Sequence, residues 1–426
     1  MKKYKPVNWE IEHPCPQCGA PVILGETDRL LSCSYCRTRL YLTPRDYFRY
    51  YLPPADRFSA DAIFVPYWRL KGMVFLCLAE GVRHRIIDVS SRASHHPFLP
   101  LSLGLRPQAL KLKFVSPEME AKFINPGTPL EKVIENAGAL SDPLDGDDGD
   151  SPVHPGSAAH KVFIGETVSL IYSPIFVRAG RAHDAILGKG FARIPKDFPE
   201  DLTPAEQQRD WQAKFIPTLC PYCGWDLLGE KESVVLFCKN CHSAWNPSQT
   251  GFEKLDVGTI PGGGERAVYL PFWRMNVLME GAEFESSPDF KRLTDATRVM
   301  KEGEKGPNQD FYFWSPAFKV PPQVFLRLAL GMTLSHPREE VEGPPPGPSL
   351  HPVTLPASEA VETIKLTMAH SATNKRAALP GLNKLRIHLN ESLLVFLPFI
   401  LQGIDFIQIH TKLCIPRSSL ELGRVL

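Results

Sequence analysis

Four CxxC pairs constrain what this chain can fold into more than any other feature of its sequence. They form two sets with the same spacing, and the cysteines are Cys15, Cys18, Cys33, Cys36, Cys220, Cys223, Cys238 and Cys241. The sequence shows no apolar run typical of a secretory signal, so this spacing indicates metal binding rather than disulfide bonds. Four thiolates match the tetrahedral, soft-ligand preference of zinc. We therefore predict two structural Zn²⁺ ions per chain, one in each set.

Both sets have the same internal order. Each begins with CPxCG, at 15–19 and 220–224, and ends with a shorter CxxC. Gly19 and Gly224 can adopt the positive φ that the end of such a turn requires. The residues between the pairs suit a β-hairpin, with strands predicted at Val22–Leu24 and Arg29–Leu31 in the first set and at Leu227–Leu228 and Val234–Phe237 in the second.

This CPxCG…CxxC layout resembles zinc ribbons of the transcription-factor-IIB and rubredoxin-like class, over little more than the cysteine-bearing segment of each set. The resemblance implies a metal-stabilised knuckle fold and no particular activity. Rubredoxins hold iron at a similar site, but they repeat CPxCG at the second knuckle and separate the knuckles further, so iron is the disfavoured metal. Four cysteine ligands leave no open coordination position, which argues against catalysis by the metal.

The rest of the chain repeats as well. Every cysteine of the first set recurs in the second at one displacement, 220 − 15 = 205, and further matches follow in the same order with displacements of 205, 215 and 224. The matching segments are 64–69 and 269–274, 106–113 and 321–328, and 163–176 and 387–400. We therefore predict a tandem duplication with a β-rich α+β fold, in which each copy is a four-cysteine zinc ribbon followed by a mainly β body.

Composition shifts suggest where these units begin and end. The predicted units are ribbon 1 at 1–44, body 1 at 45–200, a linker at 201–216, ribbon 2 at 217–250 and body 2 at 251–426. Stretches at about 136–160 and 337–358 are rich in Pro, Gly and polar residues, so we predict mobile insertions there. The linker contains a capping-box pattern from Thr203 to Glu206, which predicts a short helix.

Two residue types outside the cysteine sets could carry chemistry. Cys77 and Cys414 have no cysteine at the matching position, so we interpret them as structural. An arginine follows tryptophan in both apolar strands, at Arg69 and Arg274, and we expect it to stack on the tryptophan or to pair with a carboxylate. A contact with a partner or ligand is the alternative.

Several histidines could serve metal or acid–base roles. His13 and His242 lie beside ligand cysteines, and we interpret them as surface residues, with a supporting role at the metal as the alternative. The His95-His96 and His183-Asp184 pairs would suit acid–base chemistry. However, the sequence contains no phosphate-binding loop, nucleophile elbow or dinucleotide fingerprint. We therefore predict that the protein is not an enzyme.

A net charge of +1 gives the chain no global basic field for nucleic acid. We predict a zinc-binding, non-enzymatic scaffold or adaptor with a protein partner. The order of a ribbon followed by the aromatic-tryptophan strand also resembles bacterial zinc-ribbon proteins without an assigned activity. Nucleic-acid binding is the first alternative, and an enzyme with a site between the two bodies is the second. The longest apolar run, Leu393–Leu401, is too short to span a bilayer, so we expect a cytoplasmic protein.

Overall fold

The computed structural model describes residues 9–104, 110–119, 121–137, 160–199, 201–203, 208, 211–281, 311–337, 341–343, 350–372 and 375–423. It is 46% strand and 16% helix, so the β-rich prediction is confirmed. Most of the insertion predicted at about 136–160 and of the predicted linker helix lies outside the described residues, as do 338–340 and 344–349 of the second predicted insertion. The rest of that insertion is described, and within it Val353 and Leu355 are buried. Within these ranges, no helix has the length and apolarity needed to cross a membrane.

Twelve strands precede residue 200 in the described part of the chain. They are β1 (Glu10–Pro14), β2 (Pro21–Gly25), β3 (Leu30–Ser32), β4 (Arg39–Thr43), β5 (Phe48–Tyr51), β6 (Ile63–Leu78), β7 (Gly81–Arg92), β8 (Lys113–Phe114), β9 (Lys122–Phe123), β10 (His160–Arg178), β11 (Arg181–Asp184) and β12 (Gly190–Arg193). A helix, α1 (Leu130–Ala137), lies between β9 and β10.

Eleven described strands follow. They are β13 (Lys214–Pro217), β14 (Leu227–Leu228), β15 (Leu236–Cys238), β16 (Ala244–Ser248), β17 (Gly251–Leu255), β18 (Val257–Thr259), β19 (Ala267–Glu280), β20 (Phe313–Pro316), β21 (Arg386–Gln402), β22 (Asp405–Gln408) and β23 (Cys414–Pro416). The helices are α2 (Pro322–Ser335), α3 (Ala357–Ser371), α4 (Lys375–Lys384) and α5 (Arg417–Gly423).

Strand β6 is the centre of body 1. All 16 of its residues are buried, because it pairs with β7 along one edge and with β10 along the other. A strand covered on both faces and both edges needs a nearly continuous apolar sequence, and IFVPYWRLKGMVFLCL provides it. Strand β10 also pairs with β5 in parallel and with β11, which leads on to β12.

Body 2 has a six-stranded sheet in which β19 and β21 play the parts of β6 and β10. Strand β19 lies between β20 and β21, while β18 runs parallel to β21 and β22 leads on to β23. The registers agree as well: Trp68 faces Leu170, and Trp273 faces Leu394. These positions differ by 273 − 68 = 205 and 394 − 170 = 224, the displacements found in the sequence.

The irregularity in each long strand pair falls at the same place. Before the bulge, Lys71 faces Thr167 and Asn276 faces Glu391, which again gives 276 − 71 = 205 and 391 − 167 = 224. In body 1 the bulge includes Gly165, whose φ of 69° favours glycine. The two halves therefore share both register and bulge along their central strands.

One of the three segment matches does not hold in structure. Residues 321–328 enter α2, which has Pro322 in its first turn. The described part of 106–113 instead ends in β8, which pairs with β5. The first segment soon reaches Pro117, whereas the second has no proline between α2's first turn and Pro337. Because proline disfavours a helix interior, the second segment is the better suited to a long helix.

The hairpin prediction is confirmed in ribbon 2, where β14 pairs with β15, and is wrong in ribbon 1. There β2 pairs with β1, and β3 pairs with β4. In addition, the amides of Arg29 and Leu30 donate to the carbonyl oxygen of Lys231, at 2.7 and 3.0 Å. This contact ties the loop of ribbon 1 to ribbon 2.

The two ribbons pack directly on each other. Leu30 and Tyr41 of ribbon 1 share a buried cluster with Leu236 and Trp245 of ribbon 2, and the cluster includes Cys220 and Cys238. Strand β13, at the end of the predicted linker, pairs with β4 of ribbon 1 and so ties the start of ribbon 2 to it. Ribbon 2 therefore completes its small core with two residues of ribbon 1, whereas most buried apolar residues of ribbon 1 pack with body 1.

Arg69 joins ribbon 1 to body 1. Its guanidinium makes two hydrogen bonds to the Glu26 carboxylate, at 2.9 and 3.0 Å, and contacts Asp88. It also lies 4.1 Å from the ring centroid of Trp9, and the Arg69 and Glu26 side chains are each 1% exposed. The prediction of a carboxylate partner is confirmed for Arg69, whereas Arg274 lies over the Tyr312 ring.

We predict that Arg69→Met lowers the free energy of unfolding by about 3–5 kcal/mol, because it leaves the Glu26 carboxylate buried without its cation. Urea denaturation measures the loss. Arg417→Met is the matched control, since its ion pair with Glu421 is exposed and its removal should cost less than about 1 kcal/mol. Equal costs for the two variants would contradict the role given to Arg69.

Candidate metal centres

Each set of four cysteines converges on one point. The sulfur atoms of Cys15, Cys18, Cys33 and Cys36 lie within 4.8 Å of one another, as do those of Cys220, Cys223, Cys238 and Cys241. None of these cysteines forms a disulfide. Two four-thiol clusters that can each hold a metal ion are thus present, as the spacing predicted.

The distances between sulfurs fit a four-coordinate metal. Facing pairs are 3.7 Å apart in ribbon 1 and 3.6 and 3.4 Å apart in ribbon 2. A tetrahedron of thiolates around a metal at about 2.3 Å places its sulfurs about 3.8 Å apart. A disulfide would need about 2.05 Å, so the clusters have the geometry of coordination sites.

The turn around each first cysteine explains how a short loop presents two thiols. In ribbon 1 the Cys15 amide donates to the Ala20 carbonyl, and the Gly19 amide donates to the Cys15 carbonyl, at 2.7 and 2.8 Å. Gly19 has a φ of 74°. The same bonds recur in ribbon 2, where Gly224 has a φ of 72°. The positive φ at the turn exit therefore favours the glycine predicted there.

Hydrogen bonds to sulfur prepare some thiols for ionisation. The Thr38 hydroxyl, 3.3 Å from the sulfur of Cys36, stabilises its thiolate and lowers its pKa to about 6. At Cys220 burial opposes ionisation, but amides of the turn and the Ser243 hydroxyl outweigh it, and its pKa also falls to about 6.

Other thiols in the clusters are held protonated. Burial, helped by hydrogen bonds to the sulfurs of Cys223 and Cys241, raises the pKa of Cys238 to about 12. Four thiols packed together compete for negative charge, so they cannot all ionise easily without a cation. A divalent metal at the centre would remove this competition, because it stabilises every thiolate at once.

The other residues singled out in the sequence lie apart from the clusters. Cys77 is buried in a strand, and burial raises its pKa to about 12, as expected for a structural thiol. His242 is exposed, as predicted. His13 is not a surface residue, because its ring lies between Phe114 and Phe215, with centroids 5.2 and 4.8 Å away.

The two acid–base candidates have separate places. His96 is 2.9 Å from a carboxylate oxygen of Asp201, and its ring packs against Phe198. The ring of His183 stacks on Phe176 at 4.9 Å. These contacts give each histidine a packing role at its own site.

Two further turns have the knuckle backbone without cysteine. Asp184 and Gln408 each start a turn whose first amide and carbonyl make the same two backbone hydrogen bonds as Cys15, with Gly188 and Lys412 at positive φ. The side-chain oxygen of Asp184 accepts the amides of Ile186 and Leu187, at 2.8 and 3.1 Å. It thus occupies the place of a knuckle sulfur.

The sequence pattern of the cysteine sets did not predict that the turn at Asp184 has the knuckle backbone, although the position of a glycine indicated it. Gly188 follows Asp184 at the spacing by which Gly19 follows Cys15. An oxygen acceptor can satisfy the amides of such a turn without a metal. The turn between β11 and β12 therefore keeps the knuckle shape with one carboxylate as its anchor.

Comparisons of the chain with known protein families, with curated proteins and with solved structures found no match. Its function has to be inferred from the chemistry and the surroundings of its own residues.

We predict that the purified chain carries two metal ions, and that Cys15→Ser and Cys220→Ser each remove about one, because three thiolates bind far more weakly than four. Elemental analysis by mass spectrometry measures the content. Cys414→Ser, which changes a cysteine outside both clusters, should leave the content unchanged. Loss of both ions in every variant, or none in any, would contradict two independent ligand sets.

A second prediction concerns the metal-free turn. Asp184→Ala should cost about 1–3 kcal/mol of unfolding free energy, because it leaves two amides without an acceptor. Asp184→Asn keeps an acceptor oxygen in place and should cost clearly less. Urea denaturation of both variants checks this, and equal losses would show that the oxygen does not hold the turn.

Proposed function

We propose that the metal in both clusters is zinc and that its role is structural. Soft thiolate ligands in a tetrahedral set favour zinc among the available divalent ions. A complete set of four protein ligands leaves no position for a substrate. Because each ribbon is short and shares its core with its neighbour, metal binding would supply much of the free energy that folds it.

We further propose that the chain arose by tandem duplication. The support comes from the constant displacement of the cysteine sets and from the two displacements that recur in the facing residues of the long strands and in their bulges. The metal-free turns add to it, since Asp184 and Gln408 differ by 408 − 184 = 224, as the facing strand residues do. The division into two ribbons, two bodies and a linker follows from the same proposal. We also propose a cytoplasmic location, because cysteines that are not paired in disulfides are typical of a reducing compartment.

The function that we propose is that of a non-enzymatic scaffold that binds a protein partner with its ribbon tips. The ribbon tips are the cysteine-bearing turns that carry Tyr35 in ribbon 1 and Tyr222 and Trp225 in ribbon 2. The observation that carries this proposal is the exposure of large side chains on the metal-anchored knuckles. Tyr222 is 81% exposed, Trp225 is 59% exposed and Tyr35 is 70% exposed. Leu219, beside the knuckle of ribbon 2, is 52% exposed. Aromatic side chains on a rigid support are typical anchors of protein interfaces.

Nucleic-acid binding is the second candidate, and one surface favours it. On ribbon 1, Tyr35 lies near Arg37 and Arg39 in sequence, and all three are exposed. An aromatic ring beside cationic groups can stack on a base while the cations contact phosphates. On ribbon 2, by contrast, Asp226 follows Trp225 directly and is also exposed, which disfavours a polyanion there.

We predict that the double variant Tyr222→Ser, Trp225→Ser retains its metal but loses its protein partner, because the exposed rings provide the contact area. Affinity purification from the native host with quantitative mass spectrometry measures the co-purifying proteins. The partner should be at least about tenfold less abundant with the double variant than with the wild-type chain. Ile404→Ser is the matched control, since Ile404 is 79% exposed in the turn between β21 and β22. An unchanged set of co-purifying proteins would contradict the proposal.

The nucleic-acid candidate makes a different prediction. Binding to a single-stranded oligonucleotide should weaken steeply with salt and should fall in the variant Arg37→Ser, Arg39→Ser, because counterion release drives it. Fluorescence anisotropy measures the affinity. No binding at low salt by the folded, metal-loaded chain would eliminate this candidate and leave the protein partner.

A further inference from the structure

A cavity of about 690 Å³ lies where the two ribbons and body 2 meet. Its wall includes Asp28 of ribbon 1, Lys231 and Glu232 of ribbon 2, and Lys319 and His351 of body 2. The volume is within the range of small-molecule sites, about 300–1,000 Å³. We refer to it as the junction cavity.

Lys319 is the unusual residue of the junction cavity. Its side chain is only 8% exposed, and its ammonium group is 3.8 Å from a carboxylate oxygen of Glu232. That distance is too long for a hydrogen bond. Among the described residues no acceptor lies within hydrogen-bonding reach of the ammonium group, although a lysine carries three N–H donors. A buried cation in this state costs free energy unless a ligand or water supplies acceptors.

Four carboxylates line the cavity, those of Glu10, Asp28, Glu230 and Glu232, and two of them have side-chain or backbone donors of their own. Glu232 accepts the Thr27 hydroxyl at 2.7 Å. Asp28 accepts the Gly25 amide at 3.0 Å and the ammonium group of Lys231 at 3.3 Å. Glu232 and Asp28 are thus engaged elsewhere, and Glu232 lies beyond hydrogen-bonding distance of the ammonium group of Lys319.

Other positive charges lie near Lys319. Burial lowers the pKa of Lys319. The carboxylates of Glu232 and Glu359 raise this pKa in part, and the positive charges of Lys71 and Arg29 lower it further. Arg29 also has a buried guanidinium nitrogen, Nη1, without a hydrogen-bond partner in the described part of the chain. Two neighbouring cations thus have unused donors.

We propose that the junction cavity binds the oxyanion group of a small molecule, a carboxylate or a phosphate, on the ammonium group of Lys319. The anion would accept the unused N–H donors and offset the positive charge that Arg29 and Lys71 add. Since the wall belongs to both ribbons and to body 2, the ligand would bind only when these three parts are assembled. This site is independent of the proposed contact of a protein partner with the ribbon tips.

The test uses the full, metal-loaded chain with inorganic phosphate and with succinate, against sodium chloride at equal ionic strength. Binding of either anion should raise the melting temperature by about 2–5 °C at saturation, and the anion that does so identifies the group. Lys319→Met should weaken the binding at least tenfold, while Lys231→Met should not, because Lys231 lines the same cavity but its side chain is 72% exposed. Retained metal and circular dichroism show that each variant is folded.

A second variant keeps the test decisive if Lys319→Met does not fold. Glu232→Gln removes the carboxylate that competes for the ammonium group, so it should tighten anion binding by about threefold or more. The proposal is overturned if neither anion binds the wild-type chain below about 10 mM, if Lys319→Met binds as well as the wild type, or if Glu232→Gln weakens binding. None of these results bears on the capture of a partner by the ribbon tips.

Discussion

The convergence of four cysteine sulfurs on one point, where they can hold a metal ion, shapes both ribbons. Tetrahedral coordination needs two turns that each present two sulfurs, and the turns achieve this with backbone hydrogen bonds and a residue at positive φ. The apolar residues of the ribbons pack in shared clusters: Leu30 and Tyr41 of ribbon 1 join those of ribbon 2, and most of the other buried residues of ribbon 1 pack with body 1. Folding of one ribbon therefore provides part of the surface on which the other folds.

The equivalent loops of the two ribbons meet different neighbours. In ribbon 1, Glu26 turns to body 1 and pairs with Arg69. Its counterpart in ribbon 2 is Lys231, at the displacement of the cysteine sets, and it contacts Asp28 of ribbon 1. The anion Glu26 thus links its ribbon to body 1, whereas the cation Lys231 at the matching position links the two ribbons. The cavity with Lys319 lies beside this second contact.

The cysteine clusters and the long central strands were predictable, because their signals are local. A CxxC spacing already specifies a turn, and a continuous apolar run such as that of β6 already specifies a buried strand. Strand pairing in ribbon 1 was not predictable in the same way. In ribbon 1, β2 pairs with β1 and β3 pairs with β4, whereas the same spacing in ribbon 2 gives the predicted hairpin, and no local pattern distinguishes the two cases. Residues 321–328 begin a helix because the sequence that follows them has no proline until Pro337. The matching segment, 106–113, is followed closely by Pro117.

Zinc held by four sulfurs in each ribbon is the central proposal, and X-ray absorption at the zinc edge of the purified chain tests it. The expected spectrum shows four sulfur neighbours at about 2.3 Å, with two zinc ions per chain. A first shell that contains nitrogen or oxygen, iron in place of zinc, or sulfur–sulfur bonds of about 2.05 Å in a chain without metal would contradict it.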